Sequence, residues 1–423
     1  MIFIKAQVHR QPVVNNHKRS FLFLQGPCSL LFAKLADQLR AQGHSVHKIN
    51  FNSGDVAYWA PRTATLFRGE LDTLPETLET VRKKYGITDQ ILFGDCRPIH
   101  VAAKHYARPH GIRTHVFEEG YFRPFWMTLE REGVNGYSRL PKDPHWFRDT
   151  GKNLPDPVDV QPFLSPFKIR ATHDVLYHVA GLANRLAFRH YKSHAPDPVP
   201  LEYAGYINRF VRQHLIKKQD DDSIQHLLRK KTPYFILPLQ LNSDSQIQVH
   251  SKFTNMVEVI DCVMRSFAEH APTDTWLVIK THPLDAGLLN YCKIIEKQAR
   301  LLGLTGRVMF LQSGNLDLLL KHARGLVTVN STAGALALGL NCPTAALETP
   351  VYSLPGLTFQ DGLDAFWKHY EKPDPELFQC FRNTVVYATQ VNGGLYCKAG
   401  IDMAVKNASR FLEQDKSPLE SLL

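Results

Sequence analysis

No stretch of the 423-residue chain approaches the ~18 consecutive apolar residues that a membrane-spanning helix needs, so any membrane contact is expected to be peripheral. A secretory signal is not expected either: a short apolar start gives way to polar and basic residues from Gln7 to Ser20. The seven cysteines (Cys28, Cys96, Cys262, Cys292, Cys342, Cys380, Cys397) are scattered, odd in number and without a Cys-x-x-Cys pair. That argues against a disulfide scaffold or a structural zinc site and for a reducing compartment. There is no internal repeat and no low-complexity tract. Acidic residues are in the minority, 40 Asp+Glu against 50 Lys+Arg, for a formal net charge of +10. A basic surplus favours anionic partners such as nucleotides, phosphorylated substrates or an acidic membrane surface. No recognised nucleic-acid module is present, so nucleic acid is not an expected partner. The run Asp220-Asp221-Asp222 reads as a solvated helix end or loop, because its carboxylates are contiguous rather than spaced as metal ligands.

What is present is an alternation of short apolar strands with amphipathic helices. Phe21 to Leu24 reads as a buried strand, followed by Gln25-Gly26-Pro27 and a helix carrying Leu31, Phe32, Leu35 and Leu39. Strands follow at Val46 to Phe51, Gln90 to Phe93 and Thr114 to Phe117. From about 142 to 200 prolines crowd around one helical stretch, Thr172 to Tyr191, which reads as an insertion and connection. A second alternating unit begins at Tyr234 to Leu237 and continues through strands at Trp276 to Lys280, Val308 to Phe310 and Gly325 to Val329. The expected fold class is α/β, with two Rossmann-like domains facing a cleft. The expected division is 1–205 and 206–423, the last helix packing back on the first domain.

Ligands of such sheets bind at the carboxyl ends of the strands. Four strand ends carry polar groups suited to chemistry. The strand at Leu326 to Val329 stops at Asn330-Ser331-Thr332, and a small-residue helix with Gly334 in its first turn starts at once. A helix N-terminus with hydroxyl donors suits a phosphate, and helix capping explains the same residues. Lys280 and His282, just before Pro283, alternate on an extended chain and share a face. Gln240 to Asp244 follows the first strand of the second unit, and Asp244 is its one carboxylate. Glu118-Glu119-Gly120, with Arg123 after it, ends a strand of the first unit and offers paired carboxylates for acid–base work.

Together, Glu118-Glu119-Gly120, His282-Pro283 and Ser331-Thr332 resemble the short motifs of bacterial sialyltransferases and related enzymes that use CMP-activated 2-keto sugar acids. Longer strings resemble the capsule polysaccharide biosynthesis family of the KpsS/LipB type. They are Phe23-Leu24-Gln25-Gly26-Pro27, Phe51-Asn52-Ser53-Gly54-Asp55, Phe93-Gly94-Asp95-Cys96-Arg97-Pro98, Glu118 to Pro124 and Gly133 to Gly136. The resemblance spans roughly residues 20 to 360.

The resemblance implies a retaining β-Kdo transferase of GT-B architecture. It implies transfer from CMP-Kdo to phosphatidylglycerol or lysophosphatidylglycerol, which starts the Kdo linker of a capsule. The expected place is the cytoplasmic face of the inner membrane, beside other capsule biosynthesis and ABC-export proteins. It implies no cofactor and no metal. Lys280, His282, Pro283, Asn330, Ser331, Thr332, Gly334 and Gln240 would hold the donor. Asp244 matches the aspartate of a Gln-x-x-x-Asp string and would be the nucleophile. Glu119 is the first choice for its acid/base partner and Glu118 the second. Gly26, Asp95, Arg97 and Arg123 are further cleft candidates. Two alternatives stay open: another CMP- or UDP-sugar enzyme of this fold, sialyltransferase-like or an epimerase, and a non-catalytic component of capsule assembly or export.

Overall fold

The structure is a computed structural model that describes residues 18–155, 160–193 and 199–423. The expectation for the extreme N-terminus, and the prolines at 157, 196 and 198, lie outside the described residues. The chain first lays down β1 (Ser20–Phe23), β2 (Ser45–Asn50), β3 (Thr65–Leu66), β4 (Asp89–Phe93), β5 (Arg113–Glu119) and β6 (Trp126–Arg131). It then builds β7 (Tyr234–Pro238), β8 (Trp276–Lys280), β9 (Val308–Leu311), β10 (Gly325–Thr328) and β11 (Thr344–Ala346). A last strand, β12 (Gln390–Asn392), returns to the first sheet and pairs antiparallel with β6. The first sheet has the order β12-β6-β5-β4-β1-β2-β3 and the second β11-β10-β7-β8-β9. All pairings in the second sheet are parallel, and in the first sheet β6 alone runs against the rest.

Helices cover both faces of each sheet, which is why the central strands read as continuous apolar runs. Phe21 and Phe23 face one core with Leu31, Phe32 and Leu35. Leu22 and Leu24 face another with Leu74, Leu78 and Ala103. The second sheet is sandwiched likewise, Phe235 and Leu237 on one side, Tyr234 and Ile236 on the other. A further cluster with Tyr121, Phe147, Leu338, Tyr352 and Phe381 joins the two units. The fold is therefore α/β, two Rossmann-like units facing a cleft, as expected of a GT-B architecture.

The chain does not divide at a single point. The helix Val199–Arg229 runs straight through the expected boundary at 205. At the other end, β12 and the helix Lys398–Leu412 belong to the first unit. That helix buries Ile401, Ala404 and Phe411 against Phe32 and Leu35, and Lys34 pairs with Asp402 at 2.8 Å.

Two local expectations change. Thr172 to Tyr191 is not one helix: the structure has Phe167–Gly181, a turn, and Asn184–Ala187. Asp220 is not a solvated residue. It is buried within the long helix, and its Oδ2 accepts from the backbone N–H groups of Gln312 and Ser313 at 2.9 and 2.7 Å and from the Ser313 hydroxyl at 2.9 Å. It fixes the loop after β9.

Candidate active site

A cleft of about 370 Å³ opens between the carboxyl ends of the two sheets, lined by Glu118, Glu119, Arg123, Gln240, Asp244, His282, Asn330, Ser331 and Thr332 among others. The sequence motifs therefore meet in one place. The first wall is the end of β5. Glu118 and Glu119 are consecutive on a strand, so their side chains leave opposite faces. Gly120 then lets the chain turn, since a Cβ there would stand 2.2 Å from the Trp126 carbonyl oxygen.

The two glutamates have different surroundings. Glu118 accepts a hydrogen bond from the Glu119 backbone N–H at 2.9 Å. Burial raises its pKa to about 7, and the negative charges of Glu119 and Asp244 push the same way. Glu119 is gripped by cations instead, Arg123 Nη2 at 2.7 Å and Arg170 Nη1 at 3.3 Å. Arg170 comes from the helix Phe167–Gly181, and nothing in the sequence pattern pointed to it.

The second wall belongs to the other unit. Asp244 caps the short helix Ser245–Gln248, its Oδ1 accepting from the Gln246 N–H at 2.9 Å. Burial raises its pKa as well. Gln240 and Asn330 are both buried and bonded to each other, Nε2 to Oδ1 at 3.0 Å. The Asn330 amide also donates to the carbonyls of Gln246 and His250, at 2.8 and 3.1 Å. These two residues hold the loop that carries Asp244 against the end of β10. Both line the cleft as expected of donor-binding residues, with the Gln240 amide bonded to Asn330 and the Asn330 amide to the loop.

His282 follows β8. Its Nδ1 accepts from the Leu284 N–H at 3.0 Å. Burial, helped by the charges of Arg123 and Lys280, lowers its pKa to about 4. The ring is thus neutral near pH 7 and carries its proton on Nε2, where it can donate. The Arg209 guanidinium, another residue the motifs did not reveal, donates to the His282 carbonyl at 3.2 Å and to Gln312 O at 3.1 Å.

Ser331 is the N-cap of the helix Thr332–Gly339 and accepts from the Ala333 N–H at 3.2 Å. Gly334 is small for a different reason than expected. A Cβ there would lie 2.2 Å from the Tyr352 hydroxyl, which donates to Ser331 O at 2.5 Å. Tyr352, not a ligand, occupies the close approach. His282, Ser331 and Thr332 also face an adjoining, mainly apolar cavity of about 1130 Å³ whose wall includes Lys280, Thr281, Pro283 and Gly314. Lys280 is buried there, and burial lowers its pKa.

Three further cleft candidates lie elsewhere. Asp95 is buried and neutralised by Lys104 Nζ at 2.8 Å. Arg97 donates to the Gly26 carbonyl at 3.2 Å and lines a separate cavity of the first unit. Only Arg123 of that set reaches the cleft. Among the described residues one cross-unit trio gathers metal-ligand atoms: those of Asp95, Cys96 and His250 lie within 4.8 Å of one another. The Asp95 charge is already matched by Lys104, and the Cys96 Sγ lies 3.3 Å from His250 Nε2. The trio reads as a hydrogen-bonded tie between the units.

The model of the family described as capsule polysaccharide biosynthesis protein matches residues 88–396. The capsule polysaccharide modification protein LipB of Neisseria meningitidis serogroup B is 36% identical over 392 residues, covering 89% of this chain and 91% of that protein. The capsule polysaccharide export protein KpsS of Escherichia coli is 35% identical over 381 residues, covering 89% of this chain and 97% of that one. Among solved structures, the β-Kdo 2,7 transferase of Thermosulfurimonas dismutans KpsC aligns with a TM-score of 0.45 at 13% identity, over 94% of this chain and 100% of that one.

Proposed function

Since the chain belongs to the capsule polysaccharide biosynthesis family, we propose that it is a glycosyltransferase moving Kdo from CMP-Kdo to phosphatidylglycerol, with retention of anomeric configuration. The observation that carries this reading is the pair of carboxylates in one cleft, Glu118 and Asp244, each with proton affinity raised by burial. Retention by two displacements needs a carboxylate nucleophile and an acid/base partner.

Asp244 attacks the anomeric carbon of Kdo as the bond to the CMP oxygen breaks, and CMP leaves with the electron pair. Its Oδ1 is fixed by the cap bond to Gln246, and Oδ2 makes no hydrogen bond among the described residues. CMP is already a good leaving group, so its departure calls for charge stabilisation rather than protonation. The His282 Nε2–H, Lys280 and the helix end at Ser331-Thr332 supply donors for the phosphate without a metal. The nucleotide extends past them into the adjoining cavity. In the second step the acceptor hydroxyl attacks the same carbon, Asp244 leaves, and a carboxylate takes the hydroxyl proton.

Glu118 suits that last role better than Glu119, reversing the order expected from sequence. Glu119 holds two guanidinium groups, whereas Glu118 has a proton affinity poised near neutral pH. The enzyme would work peripherally at the cytoplasmic membrane face. The test is incubation with CMP-Kdo and a fluorescent phosphatidylglycerol, product analysis by mass and NMR, and intact-protein mass measurement for a Kdo adduct on Asp244. Turnover of CMP-Neu5Ac or a UDP-sugar in place of CMP-Kdo would overturn the donor assignment. Absence of CMP binding would overturn the enzyme reading.

A further inference from the structure

The helix Phe167–Gly181 buries none of its residues, and neither does Asn184–Ala187 after it. Yet this segment is apolar on its outer side. Leu164 is 89% exposed, Leu182 78% and Leu186 81%, and Phe167, Leu176 and Val179 are exposed with them. Single exposed apolar residues need no explanation, but a cluster of large ones on one element does.

The helix is docked by its polar side. Arg170, His173 and Tyr177 recur at intervals of three and four, so they share a face. Arg170 pairs with Glu119 in the cleft at 3.3 Å. The Tyr58 hydroxyl donates to the His173 carbonyl at 2.9 Å. The Tyr177 hydroxyl bonds to Asp55 Oδ1 and to Asn52 Nδ2, each at 2.9 Å. A helix on a water-exposed surface normally does the reverse, apolar side in and polar side out. Here the protein spends polar bonds to hold an apolar face outward.

The segment's own charge is one-sided, with the carboxylates of Glu70 and Asp72 standing at its far end near His190. Residues 164–193 hold five Lys and Arg against one acidic residue, Asp174. Lys168, Arg185, Arg189 and Lys192 are exposed. Arg189 and Lys192 continue into the rim of a separate cavity of about 520 Å³, beside Arg97. An apolar strip edged with cations fits the interface of an anionic bilayer, with side chains in the acyl boundary and cations among the headgroups. A second copy of the chain fits less well, because a two-fold contact would set the same cations against each other.

We propose that the outer face of residues 164–187 is the surface by which the protein inserts into an anionic membrane. The inference goes beyond peripheral association by naming the surface, and it does not rest on the transferase reading. Because Arg170 on the same helix reaches Glu119, insertion would bring the cleft to the lipid surface.

The test is flotation of the full chain with vesicles of phosphatidylethanolamine and phosphatidylglycerol, compared with phosphatidylcholine alone. The double variant Leu182→Asp/Leu186→Asp should keep its melting temperature and lose at least about tenfold in partitioning to the anionic vesicles. Flotation does not read transfer, so its failure leaves the reaction untouched. Three results would overturn the inference. They are a native chain that does not float on anionic vesicles, a double variant that floats as the native chain does, and a native dimer that the double variant turns into monomer. Preference for phosphatidylglycerol should fall in Lys168→Gln/Arg185→Gln, and an unchanged preference would overturn the part assigned to charge.

Discussion

The two walls of the cleft come from sheets of the same kind but hold their polar groups in opposite ways. On the first wall, consecutive residues of one strand are sent to different surroundings: Glu118 is desolvated and Glu119 is gripped by Arg123 and Arg170. On the second wall, residues far apart in sequence are tied into one scaffold, Gln240 to Asn330 and Asn330 to the loop of Asp244. The first wall creates difference between neighbours, and the second creates a fixed position from distant parts. A base must be tuned, and a nucleophile must be placed. In the proposed reaction the walls would divide those two tasks.

Replacing the placed group should cost most. Asp244→Asn keeps an oxygen that can cap the Gln246 N–H, so the fold should hold. Transfer should fall by about 10³-fold or more, because among the described residues Asp244 is the carboxylate lining that wall. Steady-state kinetics with a melting curve on the same sample separates loss of chemistry from loss of fold. Transfer within tenfold of wild type would remove the nucleophile from the second wall.

The tuned group comes next. Glu118→Gln should lower kcat by about 10²–10⁴-fold. In the wild type, activity should rise with pH through about 7 as the Glu118 carboxyl ionises and becomes a base. The variant should lose that limb. Stability runs the other way. The folded-state pKa of Glu118 is raised above its ordinary value, so its stabilising contribution is full below about 4.5 and is lost as pH rises through about 7. Glu118→Gln, which cannot ionise, should therefore melt higher than wild type at pH 8 and nearly the same at pH 4. If Glu119→Gln instead carries the pH limb, the two glutamates exchange roles.

Much of this arrangement could be read from sequence, for a physical reason. Strands covered on both faces are unbroken apolar runs, so Phe21 to Leu24, Tyr234 to Leu237 and Trp276 to Lys280 stood out, and chemistry at carboxyl ends pointed to the residues just after them. What stayed hidden depends on distant pairing. Strand β12 is only Gln390-Val391-Asn392, which has no period of its own and exists because β6 offers an open edge. Asp220 looked solvated because its run is acidic, and only the loop at 312–313 explains its burial. Arg170 and His250 reach the cleft from segments with no motif. Alternation on β5 shows that Glu118 and Glu119 part company. It does not show which one meets the arginines.

The smaller effects test whether the walls act separately. His282→Ala removes a donor on the second wall and should raise the KM for the donor by about 10–100-fold, the loss of one hydrogen bond to a charged group. His282→Gln, whose amide also donates, should recover part of it. The residue least expected to matter is on the first wall. Arg170→Ala frees one oxygen of Glu119 but leaves Arg123, and half-exposed ion pairs are weak, so kcat should change by only about two- to fivefold. The sign carries the information. Weakening the grip on Glu119 leaves more uncompensated negative charge beside Glu118, which raises the proton affinity of Glu118 further. The rising limb of the pH profile should therefore move to higher pH in Arg170→Ala while the donor KM stays as it was. A KM change with an unmoved limb would mean that Arg170 binds substrate rather than tuning its neighbours, and the two walls would then share the task of holding the donor.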